Sequence, residues 1–263
     1  LARFGRLNSQ RVNWENHWQE VADYMMPRKA NITKRRTRGD KRNELIFDSS
    51  PLQALELLAA SLHGMMTNPS TPWFTLKFKD AQMDQNDEAK LWLESVTADM
   101  YTAFNRSNFQ QEIFELYHDL ITFGTAAMYI EEDDEDLLKF STKHIAEIFI
   151  AEDDKGRIDT VYRKFTLSAR ALVQKFGNKV SQNIKVMSEK DPYQDVDILH
   201  CVYPRADFNP KLKDQENMPF ESVYLEMGSG DELSVSGFKE FPYVVPRYLK
   251  ASHEIYGRSP AMT

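Results

Sequence analysis

The sequence contains a single cysteine, Cys201, so no intrachain disulfide can form and an intracellular origin is expected. No apolar run approaches the ~20 residues needed to cross a bilayer, and no charged-then-apolar leader opens the chain. Transmembrane and secreted readings are therefore set aside. GxSxG, GxGxxG and GxxxxGK[ST] are all missing, which removes the common hydrolases, dinucleotide enzymes and P-loop proteins. The six histidines show no HExxH spacing, and no cysteine pair stands near them. Neither an internal repeat nor a low-complexity linker is visible. The start at Leu1 and the stop at Thr263 suggest a piece of a longer protein.

What is present is a chain of 263 residues, 41% hydrophobic and 28% charged, enough for a packed core of one large or two ordinary domains. Its net charge of −7 conceals an asymmetry. Arg28, Lys29, Lys34, Arg35, Arg36, Arg38, Lys41 and Arg42 stand against one acid, Asp40, so residues 28–42 carry +7 and the remainder −14. An acidic body repels polyanions, whereas a basic arm can bind phosphates or an acidic protein surface. The arm has no interleaved aromatics for base stacking, so any nucleic-acid contact would be to the backbone. A neighbouring subunit, or an acidic neighbour within the chain, serves equally well.

Up to Gly124 the hydrophobic period is helical. Trp14, Trp18, Val21, Ala22 and Met25 share a stripe that Pro27 ends, and Asp48-Ser49-Ser50-Pro51 caps a second helix. That helix carries Leu52, Leu55, Leu58, Leu62 and Met65 along one stripe until Asn68-Pro69. Alternation over Trp73–Phe78 predicts a strand. A third helix over about 87–104 places Trp92, Val96, Met100 and Phe104 in the core. Ser107 and Gln110 have capping-box spacing for a fourth, which buries Phe109, Ile113, Leu116, Leu120 and Phe123 and ends at Gly124. Beyond Gly124 the period becomes strand-like. Segments 126–130, 137–142, 145–151 and 158–165 read as a meander, followed by a helix over 168–176 and strands at 196–203, 222–226, 233–236 and 243–248. The expected class is α+β, with a helical half (1–124, arm 28–42) packed against a β-rich, meander or small barrel-like half (125–263).

Two other constellations invite chemistry. The acidic runs Glu131–Asp136 and Glu152–Asp154 would suit a hard cation in a metal-dependent phosphoryl-transfer enzyme, but in Glu131–Asp136 consecutive turn residues point apart and the calcium-loop spacing with its internal glycine is absent. Cys201 beside His200 would face the opposite side of a strand, which argues against a nucleophile–base pair. No catalytic residue, metal ligand or cofactor is assigned.

Several segments, taken in order, resemble the portal (head-to-tail connector) proteins of short-tailed bacteriophages. They are Phe47-Asp48-Ser49-Ser50 with the helix Ala54 to Met66, Thr67-Asn68-Pro69-Ser70-Thr71-Pro72-Trp73-Phe74, Ser107-Asn108-Phe109, Phe123-Gly124-Thr125-Ala126, Phe165–Arg170 to Phe176-Gly177, and Tyr256-Gly257-Arg258-Ser259-Pro260-Ala261-Met262. The resemblance implies a wing-type fold and a homo-oligomeric ring, usually of twelve subunits, at one capsid vertex of the virion, assembled in the host cytoplasm. Double-stranded DNA would pass through its channel, driven by a separate terminase, with scaffold, capsid and tail adaptor proteins as further partners. It implies no membrane and no active site, and it places the stem and clip beyond Thr263.

Overall fold

The computed structural model describes residues 1–34, 39–79, 86–212, 214 and 217–262. It is a mixed α+β chain with two antiparallel sheets. The chain divides into two compact units, one formed by residues 1–16 and 145–243, the other by 17–144 and 244–263. The break expected after Gly124 does not coincide with a boundary between them.

In the first unit, strands β3 (Ile148–Glu152), β4 (Ile158–Ser168), β5 (Asp195–Pro204), β6 (Phe220–Glu226) and β7 (Glu232–Phe238) form one sheet in sequential order. The run Ile198–Val202 is almost continuously apolar because both faces of the sheet are covered. Leu199 and Cys201 meet Phe4 and Leu7 from the start of helix α1 (Ala2–Met25), together with Phe149, Tyr162 and Val223. Ile198 points the other way, towards Leu172 of α5 (Ala169–Phe176) and Ile184 of α6 (Gln182–Lys190). Ser168, read from the sequence as the start of this helix, is its cap, the hydroxyl accepting from Ala171 N–H. Helix α6 has no counterpart in the sequence reading.

Arg11 is the polar anchor of this unit and is almost fully buried. Its guanidinium donates to the carbonyls of Ile145, Ile148 and Ala146 at 3.0, 2.5 and 2.8 Å and pairs with Glu15 at 2.7 Å. The same group lies 3.8 Å from the centre of the Phe149 ring. A fork of donors is needed to satisfy these carbonyls where a 3-10 turn (Ile145–Glu147) leads into β3.

The second unit contains α2 (Ser50–Met66), α3 (Asp87–Arg106), α4 (Phe109–Phe123) and strands β1 (Ala127–Asp133) and β2 (Leu137–Lys143); the sheet order is β2-β1-β8, where the two-residue β8 (Tyr243–Val244) lies at the point where the chain passes from one unit to the other. The expected meander from 126 to 165 is thus split: β1–β2 and β3–β4 pair within different sheets, and no closed barrel forms among the described residues. The predicted strand over Trp73–Phe78 is extended but pairs with no strand. The last predicted strand, 243–248, shrinks to the two residues of β8, because Pro246 and the single bridge Thr125–Arg247 leave no ladder to extend.

Two helix faces also differ from expectation. On α2 only Leu55 and Ala59 are fully buried; Met65 lies about 80° round the helix from Leu55 and is 83% exposed. On α3 no residue is fully buried. Its Trp92 is 60% exposed and stacks on Phe78, while Phe104 alone of the predicted stripe joins the cluster of Phe109, Phe140 and Trp73. The capping box at α4 does not form. Ser107 Oγ accepts from Phe109 N–H at 3.2 Å, but Gln110 reaches away to His63 Nε2 at 2.9 Å.

Gly124 ends α4 in the left-handed conformation, φ 72°, as its position predicts. Space requires glycine there as well. A Cβ on Gly124 would collide with the main chain of Gly257 and Arg258, and one on Gly257 would collide with the Gly124 carbonyl. Around this contact Gly124 C=O accepts from Tyr248 N–H (2.9 Å), Thr125 Oγ1 from Gly257 N–H (2.7 Å), and Thr122 C=O from the Ser259 hydroxyl (3.0 Å). Trp18 closes the cluster: its indole N–H donates to Phe123 C=O at 3.0 Å, and its ring meets Tyr256 edge-on at 5.0 Å. Two segments that carry the portal resemblance, Phe123–Ala126 and Tyr256–Met262, are therefore in direct contact across more than a hundred residues of sequence.

Candidate functional site

The basic arm leaves α1 at Met25, where Pro27 starts a single 3-10 turn (Pro27–Lys29). Its first stretch is held by acids on helices of its own unit. Glu115 and Asp119 stand four apart on α4 and so share a face. Lys29 Nζ bridges them, at 2.6 Å from Glu115 and 2.5 Å from Asp119, and Arg28 adds a 3.2 Å contact to Glu115. Lys34 pairs with Asp23 of α1 at 2.9 Å. Gln19, one turn before Asp23, holds the main chain: its amide donates to Ala30 C=O, and its Oε1 accepts from the N–H groups of Ile32 and Thr33. His144 Nε2 lies 2.9 Å from Lys29 C=O. The Arg42 guanidinium donates to Arg28 C=O, and Lys41 is exposed. Arg35, Arg36 and Arg38 lie outside the described residues.

Burial decides the electrostatics of this anchor. Asp119 is fully buried, and desolvation raises its pKa from 3.8 to about 6 against the pull of Lys29. Among the described residues its Oδ2 has no hydrogen-bond partner, nor has Thr122 Oγ1 one turn on. At the rim, burial acts to raise Glu115 as well, but the Lys29 and Arg28 cations outweigh it and hold the carboxyl below its ordinary value. The result is an ion-pair lock on the arm's root, made by Lys29 and Arg28 with Glu115 and Asp119.

The other candidates are accounted for structurally. Asp133 accepts from the Glu135 and Asp136 N–H groups in the β1–β2 turn, and Glu131 lies 3.6 Å from Lys139. Asp153 accepts from Lys155 and Arg157 and supports the turn at Gly156. Among the described residues, no group of three or more His, Cys, Asp or Glu side chains could hold a metal ion. Cys201 is buried and desolvation pushes its thiol up to about 12, while His200 is turned to Ser222 Oγ at 2.9 Å. Gln19, Asp23, Glu115 and Asp119, which make the lock, were missed by sequence reasoning. Their signal was the i, i+4 spacing of Gln19 with Asp23 and of Glu115 with Asp119.

Comparison with known proteins gives these features a context. Residues 1–263 match the family model of the bacteriophage head to tail connecting protein. The chain is 34% identical to the probable portal protein of Bordetella phage BPP-1, with all of this chain and 48% of that protein aligned. It is also 34% identical to the portal protein of Salmonella phage epsilon15, over 98% of this chain and 48% of that protein. The chain thus spans about half the length of the curated relatives it matches. A match that runs unbroken through both units, including the contacting Phe123–Ala126 and Tyr256–Met262 segments, places the chain in the bacteriophage head to tail connecting protein family.

Proposed function

We propose that the chain is the wing-bearing part of a portal protein, a structural ring component at one capsid vertex through which double-stranded DNA enters and leaves and to which the tail is joined. The observation that carries this reading is the family match over residues 1–263, with 34% identity to two proteins named as portals. In this reading the ring is a homo-oligomer, with twelve copies as the expected number, and the terminase, scaffold, capsid and tail adaptor proteins are its partners in the virion and during assembly in the host cytoplasm. Residues 1–124 and 125–263 are then helical and β-rich wing segments named by element type. Stem and clip belong to the half of the relatives' length that this chain does not span.

The role calls for rigidity and repeated contacts rather than turnover, and no observation favours the phosphoryl-transfer or nucleic-acid-binding alternatives. The eight cations Arg28, Lys29, Lys34, Arg35, Arg36, Arg38, Lys41 and Arg42 remain the candidates for meeting DNA or a neighbouring subunit. Arg28, Lys29 and Lys34 are already paired with acids of their own chain, which favours a braced arm over a grip on DNA. Among the described residues no helix is long and apolar enough to cross a membrane. Negative-stain imaging of the full-length protein tests the reading: rings with a central channel are expected, and particles that remain monomeric at assembly concentrations overturn it.

A further inference from the structure

The extended segment Trp73–Phe78 is fixed at its start by Tyr101, whose Oη accepts from the Trp73 and Phe74 N–H groups at 2.7 Å and donates to Phe74 C=O at 2.8 Å. Beyond that point the main chain of Thr75, Leu76 and Lys77 makes no hydrogen bond to another described residue. Between this segment and α3 lies an open groove of about 550 Å³. Its walls include Phe74, Leu76, Leu93 and Ala98, and Lys77 and Lys90 outnumber Glu94 among the charged groups lining it.

Elsewhere in the same unit a loop carries Leu45, 38% exposed, and Phe47, 93% exposed, between the acids Glu44 and Asp48. A phenylalanine so fully in water has no packing role within residues 1–263. At that exposure its ring also does not fill the groove beside α3. The unit thus presents an apolar knob with Glu44 and Asp48 immediately beside it, following Lys41 and Arg42 of the basic arm, and, separately, a groove with apolar walls lined by two lysines and one glutamate.

We propose that the Leu45–Phe47 loop of one copy of this chain docks into the α3 groove of the next copy. A knob and a groove on different surfaces of one chain make a heterologous contact, which repeats from copy to copy and closes into a ring when the rotation permits. The Phe47 ring enters the apolar wall, Glu44 and Asp48 come against Lys77 and Lys90, and the free main chain at 75–77 offers hydrogen bonds to an extended guest. The proposal rests on the ring reading above and names one of its subunit contacts.

The test uses the full-length protein with Asn43→Cys and Ala98→Cys together, which leaves the Phe47 ring in place, treated with a short bismaleimide; Cys201 is buried. A ladder of covalent dimers, trimers and higher species on a denaturing gel, lost in either single variant, is the expected result. Rings by negative stain without that ladder overturn the docking while the ring reading stands. A ladder that stops at dimers, or a wild-type protein that forms no rings, also overturns the docking, the latter together with the ring reading. Phe47→Ala supplies an independent measure, because an exposed residue can be truncated without unfolding the chain. It should raise the concentration needed for assembly roughly tenfold or more, with an unchanged circular dichroism spectrum; unchanged assembly counts against the proposal.

Discussion

Asp119 offers a quantitative test of how the arm's root is held. Its folded pKa of about 6 stands above the 3.8 of an ordinary aspartate because burial outweighs the attraction of Lys29. A folded pKa above the unfolded one means that the native state binds the extra proton between those values. Stability from this group is therefore fully present below about pH 4 and is lost as pH rises through 6. Two pH units at about 1.4 kcal/mol each make the loss about 3 kcal/mol. Asp119→Asn keeps the shape and removes the titration. The urea-unfolding free energy of the variant, relative to wild type, should thus be larger by about 3 kcal/mol at pH 7 than at pH 4, the variant being the relatively more stable protein at the higher pH. Glu115 works in the opposite sense, since its lowered pKa gives stability above its unfolded value that is lost as pH falls, but it is present in both proteins and largely cancels in the difference. Parallel stability curves for the two proteins between pH 4 and 7 would refute the reasoning and show Asp119 to be charged at little cost.

Two further outcomes follow from the packing. Gly124→Ala forces a methyl group into the Gly257 main chain at a positive φ and should destabilise the unit that holds α4 by ~3 kcal/mol or more in thermal or urea unfolding, with Gly257→Ala behaving alike. Arg11→Met leaves the carbonyls of Ile145, Ala146 and Ile148 and the Glu15 carboxylate without their donor, and should cost roughly 3 kcal/mol. Hydrogen exchange should report that loss first in β3.

Most helix boundaries were legible in the sequence because their signals are local. Pro27, Gly124 and Gly177 stop elements through φ and a missing donor or Cβ, and Ser168 starts one through its hydroxyl. Face assignments were less legible. Apolar periodicity on α2 and α3 marks residues suited to burial, yet Leu57, Met65 and Trp92 remain exposed in the single chain. A helix with apolar residues all round needs more partners than one unit supplies. Strand pairing was less legible still: Trp73–Phe78 alternates like a strand, but pairing depends on whether another strand is brought alongside it.

At the candidate site the +7 arm was visible from charge alone, whereas its restraint was not. Lys29 and Asp119 are 90 positions apart, and only the approach of the 3-10 turn Pro27–Lys29 to α4 within one unit brings their charges to 2.5 Å. The same holds for the Gly124–Gly257 contact, where two short motifs of modest specificity become one steric requirement. By itself the sequence determined most element types, the α+β class, the charge asymmetry and the absence of common catalytic motifs, all of which depend on residues near one another in the chain. Tertiary structure alone decided which strands share a sheet, which apolar faces stay uncovered and which acids hold the arm, because those outcomes depend on contacts between residues that sequence distance does not constrain.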